Sequence, residues 1–321
     1  MSSSLGGWLR RLVGLLLIAS ALAAGLSHAP DRPVQTLVAR WAPAPSDFIE
    51  IRGQLVHLRD QGPRSDPEPI VLVHGTSSSL HTWEGWAGAL QKQRRVISFD
   101  LPGAGLTGPF TGQYTPDDYR GDTYARFVVD LLDALRLQRV VLAGNSLGGE
   151  IAWRTAVLAP TRVSRLVLVD AAGLPFEPES IPPGFVAARL PVLRTLGQYL
   201  LPRTLIAQSL ASVYGDASRV TPALVDRYFE LTLREGNRRA LGLRLQQMGT
   251  GEDAARLAQV HQPTLIVWGS RDRLIPPATG QDFARRIAGS RLVVLEGLGH
   301  MPQEEDPPRS LVPVREFLGV R

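Results

Sequence analysis

The chain has 321 residues, 44% of them apolar, which is enough for a sizeable core in one large domain or in two. Its net charge is only +5, and the basic residues are scattered rather than gathered into a stripe, so we expect no nucleic-acid partner. The absence of cysteine excludes disulfides, thiolate metal sites and a cysteine nucleophile.

The N-terminal segment, residues 1–29, carries a targeting pattern. Arg10 and Arg11 precede an apolar stretch from Leu12 to Leu26. The segment is either a signal peptide, with a small-residue cleavage pattern at 21–23, or an N-terminal membrane anchor. In both cases the positive flank stays in the cytoplasm and the rest is exported, to the periplasm or to the outer side of the membrane that holds it. A buried helix of the folded domain is the third interpretation.

Residues 30–45 form a linker with a predicted short amphipathic helix. One helical face carries four apolar residues, and two prolines would end the helix: Val34, Leu37, Val38 and Trp41, then Pro43 and Pro45. The helix could lie on a membrane surface or dock on the folded domain.

From residue 46 onward, apolar strands and amphipathic helices alternate. The predicted strands are Phe48–Ile51 and Leu55–Leu58, which form a hairpin, then Ile70–Val73, Val96–Phe99, Val140–Ala143, Leu166–Val169, Leu265–Trp268 and Leu292–Leu295. The clearest helix runs from Tyr124 to Leu135. This order predicts an α/β fold with a mostly parallel eight-stranded sheet and helices on both faces.

One interval interrupts that rhythm. Residues 173–251 contain prolines and leucine-rich helical patterns but no buried strand. We therefore predict a helical cap at 173–251, inserted after the sixth strand into a core formed by residues 46–172 and 252–321.

The sequence Gly144-Asn145-Ser146-Leu147-Gly148-Gly149 follows a predicted buried strand directly. A sharp turn from strand to helix brings neighbouring backbone very close, so the positions flanking the serine must be small. The helix that follows would favour negative charge near the hydroxyl. This arrangement predicts that Ser146 is a nucleophile.

A serine hydroxyl needs a base and an acid that orients the base. His300 follows the last strand in a glycine-rich loop and is the predicted base. Asp272 follows the seventh strand and is the predicted acid, with Asp170 at the end of the sixth strand as its competitor. Three glutamates near His300 are expected to be solvated or to structure its loop: Glu296, Glu304 and Glu305.

Attack of a serine on a carbonyl group produces a negatively charged oxygen, the oxyanion, and hydrogen-bond donors must stabilise it. The backbone N–H groups of Leu147 and Thr76 are the candidates, the latter after His74-Gly75 at the end of a buried strand. We expect His74 to hold this loop rather than carry protons. The loop from Asp100 to Gly105 is expected to support the site.

The order Ser146, Asp272, His300, with His74-Gly75 upstream and a helical insert before the acid, resembles the α/β-hydrolase superfamily. The sequence from Gly144 to Gly149, together with Ser270-Arg271-Asp272-Arg273, is most similar to those of capped bacterial serine esterases and of carbon–carbon bond hydrolases. The resemblance implies cleavage of a small, largely apolar ester through an acyl-enzyme, with no metal and no organic cofactor. A carbon–carbon hydrolase, an acyltransferase or a cofactor-free perhydrolase could use the same residues. A non-catalytic, membrane-tethered binding protein on this fold is the rival from another class.

Overall fold

A computed structural model describes residues 3–249 and 251–320; Met1, Ser2, Thr250 and Arg321, which fall within the predicted segments, lie outside the described residues. Eight strands form one sheet in the order β1-β2-β4-β3-β5-β6-β7-β8. Their bounds are β1 Ser46–Ile51, β2 Gln54–Gln61, β3 Ile70–Val73, β4 Val96–Phe99, β5 Val140–Asn145, β6 Val163–Val169, β7 Thr264–Gly269 and β8 Arg291–Leu295. The first two strands and the β2–β4 pair are antiparallel, and every later pair is parallel. The predicted mostly parallel eight-stranded sheet is confirmed.

The central strands are apolar throughout because both faces of the sheet are covered. In β3, Val71 and Val73 point into one core cluster, while Ile70 and Leu72 point into the other. Alternation with a period of two along a strand produces this division.

Thirteen helices accompany the sheet within the described residues. They are α1 Ser3–Ser27, α2 Gln35–Trp41, α3 Glu84–Leu90, α4 Gly121–Ala134, α5 Leu147–Leu158, α6 Pro183–Arg189, α7 Pro191–Leu196, α8 Arg203–Val213, α9 Pro222–Thr232, α10 Asn237–Gln246, α11 Pro277–Arg286, α12 Pro302–Glu305 and α13 Pro307–Leu318. Side chains of α4, α5 and α11 pack on one face of the sheet, and those of α3 and α13 pack on the other. The predicted helix from Tyr124 to Leu135 corresponds to α4.

The connection between β6 and β7 contains α6 to α10. These helices have their own small apolar clusters, such as the one around Leu210, Tyr214 and Val225. They form the helical cap over the carboxyl ends of the central strands.

From Gly7 onward, nearly every residue of the N-terminal helix α1 is exposed. Within it, Gly7–Ser27 is 21 residues long and apolar enough to cross a membrane, and none of its most apolar window is buried. In the structure this window does not pack against the domain, so the interpretation as a buried helix finds no support there. A signal peptide and a membrane anchor both fit the observation.

The short helix α2 docks on the protein. Leu37 is 1% exposed and packs with Leu106 and Leu231. The indole N–H of Trp41 donates to Glu230 at 2.7 Å, and the carbonyl of Trp41 lies 2.8 Å from Nε2 of His81. Of the two alternatives open for the amphipathic face of α2, the structure selects protein and not membrane.

Replacement of Leu37 by alanine tests this docking. Removing a buried leucine side chain leaves a cavity, so we expect Leu37→Ala to lower the free energy of unfolding by about 3 kcal/mol. Leu55→Ala, at a side chain that is 53% exposed, is the matched control and should cost less than about 0.5 kcal/mol in chemical denaturation. Equal effects of the two substitutions would show that α2 does not pack on the domain.

Candidate active site

Ser146 occupies a sharp turn between β5 and α5. Its φ of 54° and ψ of −118° are strained for a residue that has a Cβ atom. Its N–H donates to Val169 at 3.0 Å, and its carbonyl accepts from Ala172 at 3.0 Å. The end of β6 therefore holds the backbone of Ser146 in this conformation.

The glycines beside Ser146 are required by close backbone approach. A Cβ atom on Gly144 would lie 2.1 Å from the carbonyl oxygen of Gly148, and one on Gly148 would lie 2.0 Å from that of Val73. A Cβ on Gly149 would meet the Cβ of Ala171 at 2.5 Å. All three positions exclude larger residues. The sequence pattern predicts this for Gly144 and Gly148, and the structure adds Gly149.

Asn145 links the turn to the loop that carries His300. Its side-chain amide donates to the carbonyl of His300 at 2.9 Å and to that of Val169 at 3.2 Å. Gly75 packs against the same turn, and a Cβ there would lie 3.1 Å from both Asn145 Oδ1 and Ser146 Cβ. Asn145 thus ties the position of His300 to that of Ser146.

Asp272 and His300 form a buried pair. Nδ1 of His300 lies 2.7 Å from Oδ2 of Asp272, and the two residues are 3% and 2% exposed. The other carboxylate oxygen accepts from the backbone N–H groups of Leu274 and Ile275, each at 2.9 Å. A carboxylate oxygen can only accept a hydrogen bond, so Nδ1 of His300 is the donor and carries the proton. Nε2 is then free to accept a proton.

Asp170, the competing acid, lies beside the pair but does not bond to His300. Its Oδ1 accepts from the N–H of Gly269 at 2.9 Å. Burial, and next the negative charge of Asp272, raise the pKa of Asp170 well above its usual value. The geometry therefore favours Asp272 as the partner of His300.

Ligand atoms of Asp170, Asp272 and His300 lie within 4.8 Å of one another, the one such group among the described residues that could hold a metal ion. The hydrogen bond to Asp272 already occupies Nδ1 of His300. The cluster is better suited to orienting an imidazole than to binding a metal.

The loop that carries Thr76 is fixed by two buried residues. His74 accepts from the N–H of Leu101 through Nε2 at 2.9 Å, and its Nδ1 lies 2.8 Å from the carbonyl of Gly75. Burial lowers the pKa of His74, which keeps the ring neutral. Asp100 accepts from the N–H groups of Leu80 and Leu106, each at 2.7 Å. Both ring nitrogens of His74 are therefore engaged in holding the loop.

Two cavities meet at the turn. One is about 430 Å³ and is lined by Thr76, Ser146 and His300 together with apolar cap residues. The neighbouring one is lined by Thr76, Ser146 and Leu147. The predicted nucleophile, base and oxyanion donors thus border connected space beneath the cap.

The family model described as "alpha/beta hydrolase fold" matches residues 68–307 of this chain. The chain is also 30% identical over 287 residues to the 2-hydroxymuconate semialdehyde hydrolase of Pseudomonas sp. strain CF600, covering 86% of this chain and 96% of that protein. The chain belongs to the α/β-hydrolase family. It is therefore an enzyme of the hydrolase class.

Two solved structures show how far the likeness of this α/β hydrolase extends. The meta-cleavage product hydrolase CumD from Pseudomonas fluorescens IP01 has a TM-score of 0.72 and 25% identity, and the match covers 85% of this chain and 97% of CumD. A bacterial membrane phospholipase A shares the fold with a TM-score of 0.67 at 23% identity, and that match covers 98% of each chain.

Glu305 joins the cap of the hydrolase to the loop of His300. Its carboxylate accepts from the N–H groups of Gly299 at 2.8 Å, Gly215 at 3.0 Å and Asp216 at 2.9 Å. The neighbouring Glu304 accepts from the hydroxyls of Tyr214 and Tyr228 in the cap. The expected loop-structuring role of these two glutamates is seen, but their attachment to the cap has no signal in the sequence. The side chain of Glu296 makes no contact of this kind among the described residues.

Substitution of Gly148 tests the close packing at the turn. Because a Cβ there would collide with the carbonyl of Val73, we expect Gly148→Ala to lower the free energy of unfolding by about 2–3 kcal/mol. Gly88→Ala is the matched control, since a Cβ at Gly88 in helix α3 meets nothing within 4 Å and should stabilise by about 1 kcal/mol. Thermal denaturation of both variants decides the point, and a stable, fully active Gly148→Ala would contradict it.

Paired substitutions of the two aspartates test the assignment of the acid. Asp272→Asn removes the acceptor that fixes the His300 tautomer, so kcat should fall by about 10³ to 10⁴. Asp170→Asn keeps the size of a side chain that does not bond to His300, so kcat should change by less than about threefold. Steady-state turnover of any accepted substrate provides the measurement. A larger loss in Asp170→Asn would reverse the assignment.

Proposed function

We propose that this enzyme is a serine hydrolase that cleaves a small, largely apolar ester through an acyl-enzyme. The observation that carries the proposal is the cavity of about 430 Å³, which contains both Ser146 and His300. No aspartate or glutamate lines it within the described residues, and most of its wall is leucine, alanine and other apolar side chains. Such a pocket favours an uncharged acyl chain.

In the proposed reaction, the Ser146 hydroxyl attacks the ester carbonyl carbon while Nε2 of His300 takes its proton. Asp272 holds the imidazole and stabilises its positive charge. The tetrahedral intermediate collapses, His300 protonates the departing alcohol, and the acyl group stays on Ser146. Water, activated by the same imidazole, then releases the carboxylic acid and restores the serine.

The N–H groups of Thr76 and Leu147 are the proposed donors to the oxyanion. Leu147 is the first residue of α5, where backbone N–H groups are not used within the helix and the helix dipole favours negative charge. Thr76 belongs to the loop that His74 and Asp100 hold rigid. Donors fixed before the reaction stabilise developing charge without reorganisation.

Carbon–carbon bond hydrolysis is the second candidate, and the relatives favour it. The relative at 30% identity is named a semialdehyde hydrolase, and another of equal identity, from Pseudomonas putida, is a 2-hydroxy-6-oxo-2,4-heptadienoate hydrolase. A dienoate carries a carboxylate, which needs a cation in the pocket. Arg194 lines the cavity and has no carboxylate partner among the described residues, whereas Arg238, the other arginine there, is paired with Asp31. Arg194 is the group that would bind such an acid.

A chain-length series of p-nitrophenyl esters tests the ester proposal with the full-length protein in detergent. We expect Ser146-dependent turnover that rises with acyl-chain length only as far as the cavity of about 430 Å³ can enclose the chain, because the wall of the cavity is apolar. Ser146→Ala should lower kcat by about 10⁴ or more while the protein stays folded. The chain length at which kcat/KM is highest measures the acyl site.

The matched control is Arg194→Gln, assayed with an ester and with a 2-hydroxy-6-oxo-dienoate. Loss of dienoate turnover alone, with faster cleavage of the dienoate than of any ester in the parent enzyme, would replace the ester proposal by the second candidate. No Ser146-dependent turnover of either substrate would contradict both.

A further inference from the structure

We propose that residues 1–29 are retained as a membrane anchor, and that one face of the cap lies on the same bilayer and admits substrate from it. This face, called here the apolar cap face, comprises residues 186–199 of α6 and α7 and the turn after them. The proposal that substrate enters there rests on the proposed function. The position of the face on a membrane does not.

Exposed apolar side chains are concentrated on this face. Outside α1, eleven large apolar side chains of the described residues are exposed, and six of them fall between Val186 and Tyr199. Val192 is 71% exposed and Tyr199 is 61% exposed. Isolated exposed apolar residues are ordinary, but a contiguous group marks an interaction surface.

The end of α1 is fixed directly beside this face. The N–H of Ala29 donates to the carbonyl of Tyr199 at 2.9 Å, and the N–H of Leu201 donates to that of Ser27 at 2.8 Å. His28 and Leu200 form an antiparallel bridge between these bonds. If α1 spans a membrane, the chain therefore leaves the bilayer at residues 27–29, directly beside Tyr199 at the end of the apolar cap face.

A buried arginine reinforces the junction. The Arg238 guanidinium donates to the carbonyls of Ala29 at 2.8 Å and Gly197 at 2.9 Å, and it pairs with Asp31. Arg238 is 8% exposed, so breaking these bonds would leave a buried charge without partners. Anchor and cap consequently keep a defined relation instead of being joined by a flexible linker.

The charge of this region suits a lipid surface with anionic headgroups. Residues 180–215 contain no aspartate or glutamate, while Arg189 and Arg194 lie on or beside the apolar cap face. Neither arginine has a carboxylate partner among the described residues. Arginines that flank exposed leucine and valine are the pattern of an interfacial surface that binds acidic lipids.

The active-site cavity shares its wall with this face. Leu193 and Leu196 are 44% and 49% exposed, and both also line the cavity that contains Ser146. A single layer of two short helices, α6 and α7, thus lies between the nucleophile and the proposed bilayer. An acyl chain that passes from the bilayer between or beside these helices would enter the cavity of Ser146 without crossing water.

The substrate class follows from this geometry. An ester whose acyl chain enters through the apolar cap face keeps its polar group near the headgroups, where Arg189 and Arg194 lie. We therefore infer that the substrate is a membrane-dissolved acyl ester, and not a freely water-soluble one. The anchor holds the catalytic domain on the outer side of the membrane, since Arg10 and Arg11 stay in the cytoplasm.

The absence of native cysteine permits a direct test of the membrane position. Full-length Val192→Cys and Val312→Cys proteins, each with a nitroxide label, are reconstituted into vesicles of phosphatidylcholine and phosphatidylglycerol. Val312 is the matched control, because it is 54% exposed on α13, which packs against the sheet. We expect the label at position 192 to collide with oxygen more than with a water-soluble nickel chelate, and the label at 312 to show the reverse. Equal, water-like collision at both positions would overturn the proposal whatever the activity.

Turnover separates the entry route from the catalytic assignment. Val192→Glu should cleave a short soluble ester in detergent at the parent rate, but should cleave a long-chain ester embedded in the vesicles at least about fivefold more slowly. Val312→Glu should leave both rates unchanged. If Val192→Glu leaves the vesicle rate unchanged while Ser146→Ala abolishes it, entry from the bilayer is wrong and the serine-hydrolase proposal stands. An intact mass that lacks residues 1–23 in the membrane-free fraction would overturn retention of the anchor.

Discussion

At Ser146 the chain turns from β5 into α5 with a positive φ, and the carbonyl of Val73 in the neighbouring strand lies where any side chain at Gly148 would have to go. The helix can approach the sheet this closely only because the flanking residues are glycines. Since Val169 at the end of β6 and Ala172 just after it bond to the backbone of Ser146, the register of the parallel strands β3, β5 and β6 sets the position of the hydroxyl. The nucleophile is therefore held in place before the substrate binds. Oxyanion donors that are fixed in advance are effective only if the attacking oxygen is fixed relative to them.

The base is held from more distant parts of the chain. The backbone of His300 is bonded to Asn145 in the turn and, through its N–H, to Val213 in the cap at 2.8 Å. Glu305 adds three more backbone contacts across the same junction. The cap is therefore not a lid that moves freely over a finished site. Helix α8 of the cap, which ends at Val213, helps to position the imidazole of His300.

Much of this arrangement could be predicted from the sequence, and the parts that could not have physical reasons. The strands can be predicted because β3 and its neighbours are short apolar runs. Residues that follow the carboxyl ends of parallel strands meet at one edge of the sheet, which predicts where the site lies. Asp272 and Asp170 both satisfy that rule, so only the geometry separates them. The amphipathic pattern of α2 is the same for a protein surface and for a membrane, and Leu106 and Leu231 decide between them. The periodicity of the cap leucines does not identify a single buried face, because Leu193 and Leu196 each border the cavity and are also exposed on the outside.

The junction of α1 with Tyr199 and Leu201 has a mechanical consequence. A helical segment of 21 residues is about 31 Å long, close to the thickness of a hydrocarbon core, and membrane-spanning helices tilt when that thickness changes. In a bilayer, a tilt of α1 would act as a lever on the segment between α7 and α8, which forms the wall of the acyl cavity. Membrane thickness would then become an input to the enzyme, and the volume available beside Ser146 would depend on the lipids that surround the anchor.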